Sequence, residues 1–300
     1  MDDINIQDCG GQTFDSVAVI ASHRSGVQVC ITEVNPKIVF VSCTNHSLNL
    51  AAVHAASVTF FGTLNHLFSF FSASTHQWDI LIEITSANNK WARETRWNSQ
   101  ADAVKVIHTK FTEIVAVLEW LIKDEENATM RSDAGLILQA MLSFSFLSFL
   151  GLWRDILPEI NDTQMYLQTK GLELQQCAIK LSALKTLLLV SRDKTVHDTL
   201  AYSSEICSDM GISTERQICK KKRMNYEESI NATFRDDAEL REMLSVIERL
   251  IEEITTRFKR LHDVTKKYTF LTPFNLLDKK CNCDVDAFNE IIEKAFWVKG

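Results

Sequence analysis

Proline and glycine are scarce, at three and nine in 300 residues. Folds built of strands and tight turns use more of both, so the scarcity predicts a chain that is mostly helix. An excess of positive charge is also missing. Lys and Arg number 32 against 39 Asp and Glu, a formal net charge of −7. A chain that binds nucleic acid through its overall field is usually basic, so any such contact has to come from a local patch. No internal repeat or low-complexity segment is evident. The chain is 46% apolar and 24% charged, which excludes a disordered tail, a collagen-like fibre and a small disulfide scaffold. The length fits one large domain or two ordinary ones.

Eight cysteines, at 9, 30, 43, 177, 207, 219, 281 and 283, are scattered along the chain. The opening Met-Asp-Asp-Ile-Asn lacks the basic start and apolar core of a secretory leader. The thiols are therefore expected to be reduced, in a cytosolic or nuclear protein. The longest apolar stretch, 136–153, is near the lower limit for a membrane span. Gln139, Ser143, Ser145 and Ser148 interrupt it. A buried core helix is expected there, and no membrane partner.

The clearest strand signal is the run Ile38-Val39-Phe40-Val41-Ser42-Cys43, just after Pro36. Ile4-Asn5-Ile6 alternates and is a second candidate. Val17, Ile20, Val27 and Ile31 predict a helix over 17–34, interrupted at Gly26. Helices are predicted over 47–71, 95–123, 132–153 and 163–191; 80–84 is too short to assign. Within 95–123, Val104, Ile107, Phe111, Ile114, Val115, Leu118 and Leu121 share one face. Leu240, Leu244, Ile247, Ile251, Ile254, Phe258 and Leu261 form a heptad seam. That seam reads either as a helix packed inside its own domain or as a self-association surface over 240–261. Arg216, Lys220, Lys221, Lys222 and Arg223 form the one basic cluster of the acidic chain. It reads as a solvated loop, a nuclear-import signal or a phosphate-contacting loop.

Three segments, taken in order, resemble one family. They are Gly11-Gln12-Thr13-Phe14-Asp15-Ser16 with Gly26-Val27-Gln28, then 43–50 with Cys43-x-x-His46, then 70–75 followed by Thr95-Arg96-Trp97-Asn98. This set resembles the hAT-superfamily transposases, and among them the host-derived zinc finger MYM-type protein 1-like group. The resemblance implies a ribonuclease-H-like α/β core joined to a long helical insertion. The expected fold class is thus α+β, mostly α, with a partial core over 1–125, an all-helical insertion domain over 126–272 and a tail or short helix over 273–300.

The family chemistry uses two aspartates and one glutamate to hold two divalent cations about 4 Å apart across a scissile phosphate. Asp15 matches the second aspartate, with Phe14-Asp15-Ser16 where the family has Tyr-Asp-Gly. On its own, an Asp there is also an ordinary helix cap. Asp2, Asp3 and Asp8 precede it without a strand pattern, and Glu215 imitates the family glutamate in the wrong place. A catalytically inactive remnant is therefore expected, with no cofactor, and Mg²⁺ or Mn²⁺ needed only if the chain is active. Arg96 and Trp97 match a pair that contacts DNA and stacks on bases, although Trp97 reads equally as a core residue. Cys43 and His46 match the family Cys-x-x-His, for which a structural contact is expected rather than zinc.

Three functions follow. The first is an inactive interaction protein that keeps Arg96, Trp97, Lys220, Lys221, Lys222 and Arg223 for nucleic acid. The second is an active transposase subunit that borrows carboxylates from another chain. The third is a helical relic. DNA is the expected partner, and no small-molecule substrate is.

Overall fold

The computed structural model describes residues 5–14, 22, 26–56, 58–85, 97–124, 127–212 and 233–268. Among them the protein is mostly helix with one two-stranded parallel sheet, a mostly-α α+β chain. It divides into two compact units. The first holds 1–54, 163–185 and 251–300; the second holds 55–162 and 186–250.

The first unit begins with a βαβ arrangement. Strand β1 (Gly11–Phe14) is followed by helix α1 (Val27–Val34) and strand β2 (Val39–Ser42). The strands pair in parallel, with Gly11 opposite Val39 and Phe14 opposite Ser42. Parallel strands cannot be joined by a hairpin, so the chain must cross over between them, and α1 lies on that crossover. Gly26 stands at the N-cap of α1, where the expected interruption falls. The helix stops at Asn35, before Pro36, because proline disfavours helical backbone in the residue ahead of it. Helix α2 (Thr44–Ala55) leaves β2 after one residue.

The second expected strand lies elsewhere. Residues Ile6–Asp8 form a 3₁₀ turn, because the Asn5 side chain accepts from the Gln7 N–H and so competes with extended backbone. Asn35, 1% exposed, then ties that turn to the end of α1. Its Nδ2 donates to the carbonyls of Ile6 (2.9 Å), Cys9 (2.9 Å) and Gln7 (3.4 Å), and its Oδ1 accepts from the Lys37 N–H. Gln7 Nε2 donates to the Val34 carbonyl at 2.7 Å. Strand β1 carries no apolar alternation because its buried position is Gln12. That side chain donates to the Gln28 carbonyl (3.2 Å) and to Thr32 Oγ1 (3.4 Å) of α1.

The second unit is helical among its described residues. Helices α3 (Val58–Ser72), α4 (Thr75–Thr85), α5 (Trp97–Thr109), α6 (Phe111–Asp124) and α7 (Ala128–Met141) precede the long helices α8 (Phe144–Leu167), α9 (Leu174–Asp209) and α10 (Thr233–Tyr268). The last three contribute to both units. Helix α6 packs on α4, α5 and α7, and α3 packs on α4 and α7. The core is aromatic. Phe60 lies 5.2 Å from Phe146 and 6.3 Å from Phe149, and Phe61 meets the fully buried Trp153 edge-on at 5.1 Å. Such pairs add about 0.5–1.5 kcal/mol each beyond the area they bury.

Several of the long predicted helices are interrupted, whereas the one over 240–261 runs unbroken within α10. The stretch 95–123 breaks at Lys110, yet all seven residues of its predicted face are buried. The apolar stretch 136–153 is divided between α7 and α8, which are bent by 70°. Ser143 makes that cut: its Oγ accepts from the Phe146 N–H and donates to the Ala140 carbonyl. Among the described residues no single helix is long and apolar enough to cross a membrane. The stretch 163–191 breaks before α9 at a turn that contains Gly171, whose φ is +76°.

Candidate functional site

The carboxyl ends of β1 and β2 lie side by side, where open parallel sheets hold ligands. The Cys43 N–H donates to the Phe14 carbonyl at 2.8 Å and prolongs the ladder by one bond. Cys43 then turns the chain into α2, and its carbonyl accepts from the Ser47 N–H at 2.9 Å. His46 falls in the first turn of α2, half-buried, as is the Cys43 residue. Between them Asn45 has a buried Oδ1 with no hydrogen-bond partner among the described residues. Asp15 follows Phe14 in sequence and lies outside the described residues.

The donors at this end are a thiol, an imidazole and an amide oxygen. Mg²⁺ and Mn²⁺ take several oxygen ligands, mainly carboxylates, so these described side chains do not fit such an ion. Nor do the described residues hold any group of three His, Cys, Asp or Glu side chains placed to share a metal.

The same unit has an open groove of about 310 Å³ beside α1. Thr32, Glu33, Phe40 and Arg260 are among the residues that line it. The Arg260 guanidinium sits 5.8 Å over the Phe40 ring, and the groove lining includes both this cation and the Glu33 carboxylate.

The second unit contains a polar cluster that sequence reasoning missed. The His108 ring, at the end of α5, stacks on Tyr202 of α9 with centroids 4.8 Å apart. Nη1 of Arg154 on α8 lies 2.9 Å from His108 Nε2. Arg154 also grips its neighbour Asp155 with Nε (2.7 Å) and Nη2 (3.0 Å). Its guanidinium lies 5.6 Å from the Tyr202 centroid. Burial lowers the pKa of His108, and Arg154 lowers it further. Burial raises that of the Tyr202 hydroxyl. The hydrogen bond to Asp155 raises that of Arg154. In the sequence His108 reads as an ordinary surface or core histidine. The one available signal is a charged pair, Arg154-Asp155, placed directly after the longest apolar run.

Of the other predicted site residues, Arg96, Lys220, Lys221, Lys222 and Arg223 lie outside the described residues, as do Glu215, Cys281 and Cys283. Trp97 is the first residue of α5. The structure therefore brings Cys43 and His46 to one strand end. Comparison with known proteins returned no matching family model, no matching curated protein and no matching solved structure.

Proposed function

We propose that this chain is a transposase-derived protein of the hAT type, catalytically incomplete, that acts in the nucleus through nucleic-acid or protein contacts. One observation supports the reading most. The first two segments of the resemblance, Gly11–Phe14 and Cys43-x-x-His46, meet at the same end of a parallel strand pair connected through α1. Asp15 is the next residue in sequence after β1. Of the three carboxylates that the family chemistry needs, Asp15 is the one with a matched position. A lone carboxylate cannot hold two cations across a phosphate. Binding then rests on Arg96, Trp97 and the cluster at 220–223.

The test is DNA binding by the full chain over a salt series. The expected result is an affinity that falls with salt and weakens when Lys220, Lys221, Lys222 and Arg223 are changed together to Ala. The slope of log affinity against log salt should shrink by about 0.9 for each phosphate that the variant no longer neutralises. Affinity that ignores both salt and these four residues would overturn the binding half of the proposal. DNA nicking with Mg²⁺ or Mn²⁺ that disappears in Asp15→Ala would overturn the inactive half.

A further inference from the structure

The His108 imidazole has one lone pair to offer when neutral, and Arg154 uses it. A guanidinium carries only donors, so the contact at 2.9 Å makes Nε2 the acceptor and leaves the ring proton on Nδ1. The ring cannot swing aside freely, because one face lies on Tyr202. The guanidinium is held as well, by its two bonds to Asp155. We propose that His108 is a proton-operated latch: neutral, it ties α5 to α8 and α9 within the second unit, and protonated, it releases Arg154 and loosens that junction.

The switch follows from atom counts. A proton on Nε2 turns the only acceptor into a donor that faces a donor, and sets two cations in hydrogen-bond contact. The charged and titratable groups around the ring are Arg154 and Asp155 from α8 and Tyr202 from α9, with Asp198 of α9 acting on Arg154. Among the described residues, α6, which also packs on α5, adds no charge that shifts the ring. Burial disfavours the cation most and Arg154 next; Asp155 pulls the other way and is the weakest of the three. The folded chain therefore refuses a proton that the unfolded chain accepts below about pH 6.5. The stability from the latch is full above that value. It drains away as the pH falls from there toward the lower folded-state value.

The experiment uses the full chain with nitrogen-15 histidine, and assigns His108 by the signal missing in His108→Gln. Glutamine keeps an oxygen that can accept from Arg154 but does not titrate. The expected spectrum shows a neutral His108 with its proton on Nδ1 at pH 7.5 and a midpoint below that of an unperturbed histidine. Arg154→Gln should move that midpoint upward. Thermal melts between pH 7.5 and 5 should show the wild type losing more Tm than His108→Gln. A proton on Nε2, a midpoint at or above the ordinary value, or parallel melting profiles would overturn the latch. Should either variant fail to fold, the wild-type spectrum decides alone, with His108 assigned through its contact to the Tyr202 ring.

Discussion

Asn35 shows how much one amide can organise. Its nitrogen faces three carbonyl oxygens, so no other orientation of the amide fits. Asn35→Ala should cost about 1–3 kcal/mol, because the part-buried carbonyls of Ile6 and Cys9 lose their donor. Asn35→Asp should cost more at neutral pH, since a carboxylate would face those oxygens, and should recover in part as acid protonates it. Urea denaturation at pH 7 and pH 4 reads both outcomes. Gly151 is a second such residue. A Cβ there would stand 2.9 Å from Thr199 Cγ2 and 3.5 Å from Tyr202 Cδ1. Thr199 is fully buried and its β-branched side chain has little freedom to turn. Gly151→Ala should therefore lower stability by about 1–3 kcal/mol, measured as a fall in Tm. Neither role is legible in the sequence. An Asn before a Pro reads as a turn, and a Gly inside an apolar helix reads as a weak spot. Apart from Lys37, their partners lie between 26 and 51 positions away, beyond the reach of any local pattern.

Secondary-structure elements are more legible, because they depend on periodicity. The face of 104–121 can be read across a helix break, since Lys110 interrupts the backbone without rotating the apolar stripe off the core. Strand β2 shows in its β-branched run, whereas β1 stays hidden because Gln12 takes the buried place. Helix α10 buries a stripe that only partly coincides with its predicted seam. Its buried stripe runs through Met243, Val246, Ile247, Leu250, Ile254, Phe258 and Leu261. Leu240, Leu244 and Ile251 of the predicted seam are only half-buried. Helix ends carry their own predictions. Helix α9 closes with Gly211 at φ +63°, where the Ile212 N–H reaches back to the Cys207 carbonyl at 2.8 Å. Gly211→Ala should cost about 1 kcal/mol, because an L side chain resists that backbone. At the start of α7, Asn127 Oδ1 accepts from the N–H groups of Thr129 and Met130. Asn127→Ala should cost a similar amount, about 1 kcal/mol. Thermal melts of the two single variants check both.

At the scale of the whole molecule, composition predicts the balance of helix and strand, and the scarcity of proline and glycine carries that reading. The candidate site is legible only in part. Cys43 and His46 stand out only through the family resemblance, whereas the cluster around His108 draws on three helices and has no spacing to read. The parallel pair also has a kinetic consequence. Residue 11 meets residue 39 across 28 positions, so the strands cannot zip outward from a tight turn. Closing that loop is entropically unfavourable until something shortens it, and α1 is the segment that can. Pulse-labelled hydrogen exchange during refolding should therefore show the amides of α1 protected no later than those of Val39, Val41 and Cys43. Lesions in α1 should slow folding, while lesions confined to the strand tips should mainly hasten unfolding.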